Sequence, residues 1–258
     1  MSSHPEAASH PEAAEDPRGA ARIGELVARL TDVGDPAPLT AAERGRALRS
    51  LTVALAASAR AAGRASLVGG RWLTDLLVDL APRIPLRDLP TLRAQHHGLE
   101  GDDLAEALVA GAAKATAAVG AAGGALAAVE LVAPPLLLTL PAQIAAETLL
   151  VALIEIKLIA ELHAVYGRAV TGSARERAAA YLMSWTNRRG VDPLDLQQSV
   201  RLSPGPLAKR ALRKRLVRRA GRNLTTLGPL LSGAVAGSVV NHRESRRLGD
   251  EIRADLRG

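Results

Sequence analysis

The sequence predicts an all-α protein: a multi-helix bundle with a long central apolar helix, a Gly-rich helical hairpin and no β-sheet. Three observations predict it. Hydrophobic residues make up 48% of the 258, yet aromatics are only 2% and Phe is absent. The core must then be Leu, Val, Ile and Ala, and Ala and Leu are strong helix formers, whereas strands favour aromatic and β-branched residues. Helix-start signals recur: Thr40-Ala-Ala-Glu43 and Ser173-Ala-Arg-Glu176 are capping boxes, and Asp103-Leu-Ala-Glu106 looks similar. No alternating run of strand length appears.

Taken in order, the elements begin after a tail. The hexapeptide SHPEAA occurs twice, at Ser3–Ala8 and Ser9–Ala14, with no large apolar residue. Such a segment buries too little surface to offset its ordering entropy, so residues 1–19 are expected to be disordered. Residues 20–258 are expected to form a single helical domain, with its core at about 66–256. Helices are expected at roughly 20–32, 40–62, 66–81, 87–97, 103–119, 135–166, 174–188, 204–222 and 228–256, the last broken near Asn241. Pro82, Pro85 and Pro90 punctuate one junction, Gly98 and Gly101 the next.

Two Gly-rich spots follow the G-x-x-x-G spacing, Gly120/Gly124 and Gly233/Gly237. On a helix this spacing puts both glycines on one face, so close helix packing is expected there. A phosphate-binding loop is not, because no G-K-[ST] follows and no strand precedes.

The central stretch Leu149–Gly167, LLVALIEIKLIAELHAVYG, is apolar enough to raise the question of a membrane span. Over 147–165, ten aliphatic residues contribute about −5 kcal/mol to insertion, while three Glu and one Lys cost about +10 on the same scale. It should not insert alone. For 131–150 the balance is near zero, and 224–240 is charge-free but spans only about 25 Å as a helix. At about 100° per residue, Glu147, Lys157 and Glu161 fall on one narrow edge of the helix. Glu155 lies about 80° from Glu147, and His163 lies off the group. With Tyr166, these three form a candidate polar stripe, facing solvent or a cleft or joined in a buried ion network.

Charge is uneven. Residues 168–258 hold 19 basic and 7 acidic residues, a net of +12, against 14 and 19, a net of −5, in 1–167. The segment Leu207–Arg222 carries Lys209, Arg210, Arg213, Lys214, Arg215, Arg218, Arg219 and Arg222 with no acid between them. A basic cluster beside an apolar segment is suited to anionic lipid headgroups, so an anionic membrane surface is the expected partner. A membrane-protein partner is a further expectation, and oligomeric state is not legible. Nucleic acid is the lesser expectation, since no aromatic stacking platform or DNA-binding motif accompanies the charges.

Catalytic signals are absent. No Ser, His or acid sits in a G-x-S-x-G or H-E-x-x-H context, so no catalytic residue is expected. With no cysteine, disulfides and thiolate metal sites are excluded. His4 and His10 lie in the tail, and His96-His97 point about 100° apart on a helix, so no metal site and no cofactor are expected. No basic n-region followed by an apolar run opens the chain, which predicts no secretory signal.

Across Trp72–Leu256 the order of features resembles the EcsC protein family. The pieces are AVGAAGGALAAVE, then Pro-punctuated apolar sequence, then IEIKLIAELHAVYG with Lys157, Glu161, Tyr166 and Gly167, and finally GPLLSGAVAGSVVNHRESRRLG with Asn241. Here Glu130 stands where the family pattern suggests Asp. The resemblance implies a helical protein of bacterial type with links to membranes or export, and brings no catalytic residues. The leading expectation is a non-enzymatic protein at the cytoplasmic side of a membrane, held by apolar segments and a basic helix. The alternatives are an integral protein with two or three spans, a lipid-directed enzyme using Glu147, Lys157, Glu161 and Tyr166, and nucleic-acid binding through 207–222.

Overall fold

The computed structural model describes residues 17–31, 39–67, 71–132, 140–187, 206–225 and 232–258, and their side chains except those of 17, 63–67, 126–132, 140, 206–208, 220–225 and 232–234. Among the described residues the chain is all-α. Its helices are α1 (Pro17–Thr31), α2 (Ala41–Leu67), α3 (Arg71–Leu80), α4 (Leu89–Gln95), α5 (Gly101–Val132), α6 (Leu140–Val165), α7 (Ala174–Asn187), α8 (Pro206–Thr225) and α9 (Ser232–Arg257). A short 3-10 turn, Ala81–Arg83, follows α3.

Local chemistry sets most of the starts. The Thr40 N–H donates to Glu43 Oε2 at 2.9 Å while the Glu43 N–H donates to Thr40 Oγ1 at 3.2 Å, a reciprocal capping box. Ser173 and Glu176 repeat it at 2.7 and 3.3 Å. Asp88 caps α4 by accepting from the Thr91 N–H at 3.0 Å. The third expected box does not form: α5 begins at Gly101, ahead of Asp103, and Glu106 is drawn away to Arg246 and Arg253.

Other boundaries differ from the sequence expectation, and α2 runs on past 62 to Leu67 while α3 begins at Arg71, not 66. Helix α1 opens at Pro17, inside the expected tail, because a proline at a first helical position loses no hydrogen bond. Helix α5 does not stop at 119 but runs through Gly120, Gly123 and Gly124 to Val132. Helix α6 starts at Leu140, not 135. Helix α9 is unbroken at Asn241, whose side chain is buried and bonded within the bundle. Residues 1–16, with His4, His10 and the repeated hexapeptide, lie outside the described residues.

Helix α6 is the axis of the core. From Ala145 to Leu162 every residue is buried. Helices α2, α5, α7, α8 and α9 pack around it. A helix apolar on nearly every face must be central or in lipid, and here it is central.

Contacts along the helices fix their directions. Gly123 meets Gln143 and Glu147, while Asp102 meets Tyr166, so α5 and α6 form an antiparallel hairpin. Gly120 meets Gly237, Val109 meets Gly249 and Asp102 meets Arg257, so α5 and α9 are antiparallel too. Helices α6 and α9 therefore run parallel, and the bundle has two unlike ends. One end is ionic: Arg257 bonds Asp102, and Arg246 and Arg253 both bond Glu106. The other gathers the charge-free Ser232–Val240 of α9, the second half of α5 and the start of α6. There Val235 is 66% exposed and Val239 is also exposed.

Candidate functional site

The predicted polar stripe does not stay together in the fold. Glu161 is gripped by Arg87, whose Nε and Nη2 both donate at 2.7 Å, and Lys157 Nζ lies 3.9 Å from the same carboxylate. Tyr166, beyond the end of α6, donates to Asp102 at the ionic end. Glu147 sits more than three helical turns before Glu161 and faces other partners. All three charged stripe residues are buried, but only Lys157 and Glu161 share an ion network, with Arg87, and Glu147 stands apart from it.

A second network dominates the core, and it includes Glu155, which the wheel had set apart. Glu155 is 1% exposed. It accepts from Trp185 Nε1 at 2.7 Å, from Ser245 Oγ at 2.8 Å and from Arg219 Nη1 at 3.0 and 3.2 Å. Burial pushes this carboxyl up, but Arg219, Arg215 and the two hydrogen bonds outweigh it and hold it below the usual range. Arg215 stacks over the Trp185 ring at 3.9 Å. Arg219 Nη2 also reaches Asn241 Oδ1 at 3.5 Å, and Asn241 Nδ2 donates to Glu147 Oε1 at 3.1 Å. One continuous polar spine therefore runs from Glu147 through Asn241 and Arg219 to Glu155, Ser245 and Trp185.

Glu147 differs from Glu155. Burial pushes it up to about 7, and the Asn241 hydrogen bond and Arg219 only partly oppose that. His163, also buried, shares its Nδ1 with the Ile159 carbonyl at 2.7 Å and packs edge-on to Tyr181. Burial holds it below the usual histidine value.

The close-packing glycines are in place. A Cβ on Gly120 would lie 2.7 Å from the Gly237 carbonyl oxygen and 2.7 Å from Asn241 Nδ2. A Cβ on Gly123 would lie 2.8 Å from Glu147 Oε2. The crossing thus pairs one glycine of each predicted G-x-x-x-G. Gly124 is half-buried, and nothing beyond the backbone is described for Gly233.

The basic helix is two-faced. Leu212, Leu216 and Arg219 are buried, and Arg215 turns toward Trp185. Arg219, expected on the anion-binding surface, is corrected to a core residue at 3% exposure, because Glu155 offers a buried carboxylate opposite it. Lys209 pairs with Asp75 at 2.9 Å. Arg210, Arg213, Lys214 and Arg218 lie on the outer side, half-buried or exposed, around Val217 at 49% exposure, and none has an acidic partner among the described residues. The Arg222 side chain lies outside the described residues.

Sequence reasoning missed Arg87, Trp185 and Ser245. The spacing Leu212, Leu216, Arg219 did carry a signal, since those three residues share one helical face. Among the described residues no His, Asp and Glu group is arranged to hold a metal, His96 and His97 included. One helix segment among them, Gly101–Ala125, is long and apolar enough to cross a membrane by length and composition, and half of its 18-residue apolar window is buried in the bundle. No family model matches the chain, and neither a curated protein nor a solved structure matches it.

Proposed function

We propose that this chain is an EcsC-like, non-enzymatic helical protein that docks on the cytoplasmic face of an anionic membrane. The observation that carries the reading is the outer face of α8. Arg210, Arg213, Lys214 and Arg218 surround an exposed Val217 on that face, with no acidic partner among the described residues. The buried side of the same helix holds it rigidly against α6 through Arg219. Arg219 meets Glu155 near the middle of α6 and reaches Asn241, which directly follows the charge-free stretch of α9 where Val235 and Val239 are exposed. Cations flanking exposed aliphatics suit a headgroup layer over hydrocarbon. The sequence resemblance to the EcsC family, with its link to membranes, points the same way. Against a lipid-directed enzyme, Glu161 is closed over by Arg87 and Tyr166 is tied to Asp102.

The test is vesicle binding. At about 1 kcal/mol per cation near the surface, replacing Arg210, Arg213, Lys214 and Arg218 together by Gln should weaken binding to phosphatidylglycerol-containing vesicles by two to three orders of magnitude at low salt. Vesicles of phosphatidylcholine alone should bind neither protein, and carbonate should release the bound protein. Equal binding to both vesicle types, retention after carbonate, or preferential retention on duplex DNA would each overturn the reading.

A further inference from the structure

The apolar end holds a buried acid whose proton has a place to go. Glu147 and Gln143 lie one turn apart on α6 and both press on Gly123 of α5. Gln143 gives its amide N–H to the Gly123 carbonyl, which leaves its Oε1 buried without a donor. A buried acceptor without a donor is costly, and a protonated carboxyl one helical turn along α6 is a source for the missing hydrogen. On the other side Asn241 Nδ2 donates to Glu147 Oε1, so a neutral Glu147 would accept from α9 and keep a proton to donate at the junction of α5, α6 and α9.

Burial favours the neutral form of Glu147, and the charge of Arg219 opposes it only in part. Arg219 of α8 commits its close contacts to Glu155 and reaches Glu147 only through Asn241. Glu155, on α6 itself, competes for that guanidinium. Among its described side chains, helix α5 presents Gly123. Helix α9 presents the uncharged Asn241, while His242, Arg243, Arg246, Arg247, Asp250 and Glu251 line an open depression on its outer side.

We propose that Glu147 is a proton-binding site that latches the apolar end of the bundle: with the carboxyl neutral the junction of α5, α6 and α9 is closed, and loss of the proton to solvent loosens it. The inference is independent of the membrane reading. The carboxyl's rise to about 7 supports it. A value raised in the closed form favours that form fully below about 4.5, and the preference is lost as pH climbs to about 7. If opening restores the ordinary glutamate value, opening increases about tenfold between pH 6 and pH 8.

Amide hydrogen exchange at Val119–Ala125, Gln143–Leu149 and Gly237–Asn241 reads this directly, after correction for intrinsic exchange. Protection in the native chain should fall about tenfold from pH 6 to pH 8. It should be flat in Glu147→Gln, which keeps the carbonyl acceptor and a donor but cannot ionise. Carbon-detected titration of the Glu147 carboxyl in the unaltered protein supplies a second measurement, with an expected midpoint near 7. The proposal is overturned if the slope survives in Glu147→Gln, which would assign it to another group. It is equally overturned if the carboxyl titrates in the ordinary glutamate range, or if protection is the same at both pH values.

Discussion

Replacing Arg219 with alanine is expected to cost about 3–5 kcal/mol of unfolding free energy. Glu155 would remain 1% exposed, with its carboxylate stripped of its main counter-charge. Two neutral donors, Trp185 and Ser245, would stay, and Arg215 would remain nearby, but none of these forms the paired contact that Arg219 makes. Denaturant unfolding measures the loss. A second variant separates the pair from its parts: Arg219→Met with Glu155→Leu should recover most of the stability, because a buried ion pair repays little beyond its own desolvation. A coupling of several kcal/mol between the two sites is the expected signature. A single-variant cost below about 1 kcal/mol would mean that water reaches Glu155 and that the spine is not sealed.

The second large effect is at the helix crossing. Gly120→Ala is expected to destabilise by about 1–3 kcal/mol, although alanine is the better helix former. The new methyl group would meet backbone, the Gly237 carbonyl at 2.7 Å, and backbone cannot rotate out of the way. The same substitution at Gly45, in α2, meets nothing within 4 Å and should stabilise by about 0.5–1 kcal/mol. Thermal unfolding of the two variants should therefore move in opposite directions. Loss of stability at both positions would show that helix propensity is not what Gly45 reports. Gain at both would show that α5 and α9 are not in close contact.

The fold class was legible because helix formation is mostly local. The Thr40 and Ser173 capping boxes, the Ala- and Leu-rich runs and the Pro-marked junctions need no knowledge of neighbours, and they locate the start of α2 and both ends of α4 and α7 to within two residues. The length of α5 was not legible, because a glycine reads as a breaker until the opposing backbone is known. Gly120 stays helical since Gly237 packs against it. The polar spine was hidden for the same reason. A helical wheel compares residues on one helix, and on α6 it grouped Glu147 with Lys157 and Glu161. The partners that divide that group, Arg87 for Glu161 and Asn241 for Glu147, come from distant parts of the chain. Arg219 was lost among eight cations, although its register with Leu212 and Leu216 already placed it on the inner face.

That inner register is what gives α8 its other face, and the account stands on what that face meets. The chain has no cysteine, so Val217→Cys creates a unique attachment point for an environment-sensitive fluorophore. A matched probe at Ala254→Cys, on the outer side of α9 toward the ionic end, serves as the reference. On adding phosphatidylglycerol vesicles at low salt, the Val217 probe is predicted to shift to the blue and become shielded from aqueous quencher, while the Ala254 probe stays unchanged. An unshifted Val217 probe on protein that has bound the vesicles, or a shift at Ala254 in its place, would contradict the proposal that the α8 outer face docks on the membrane.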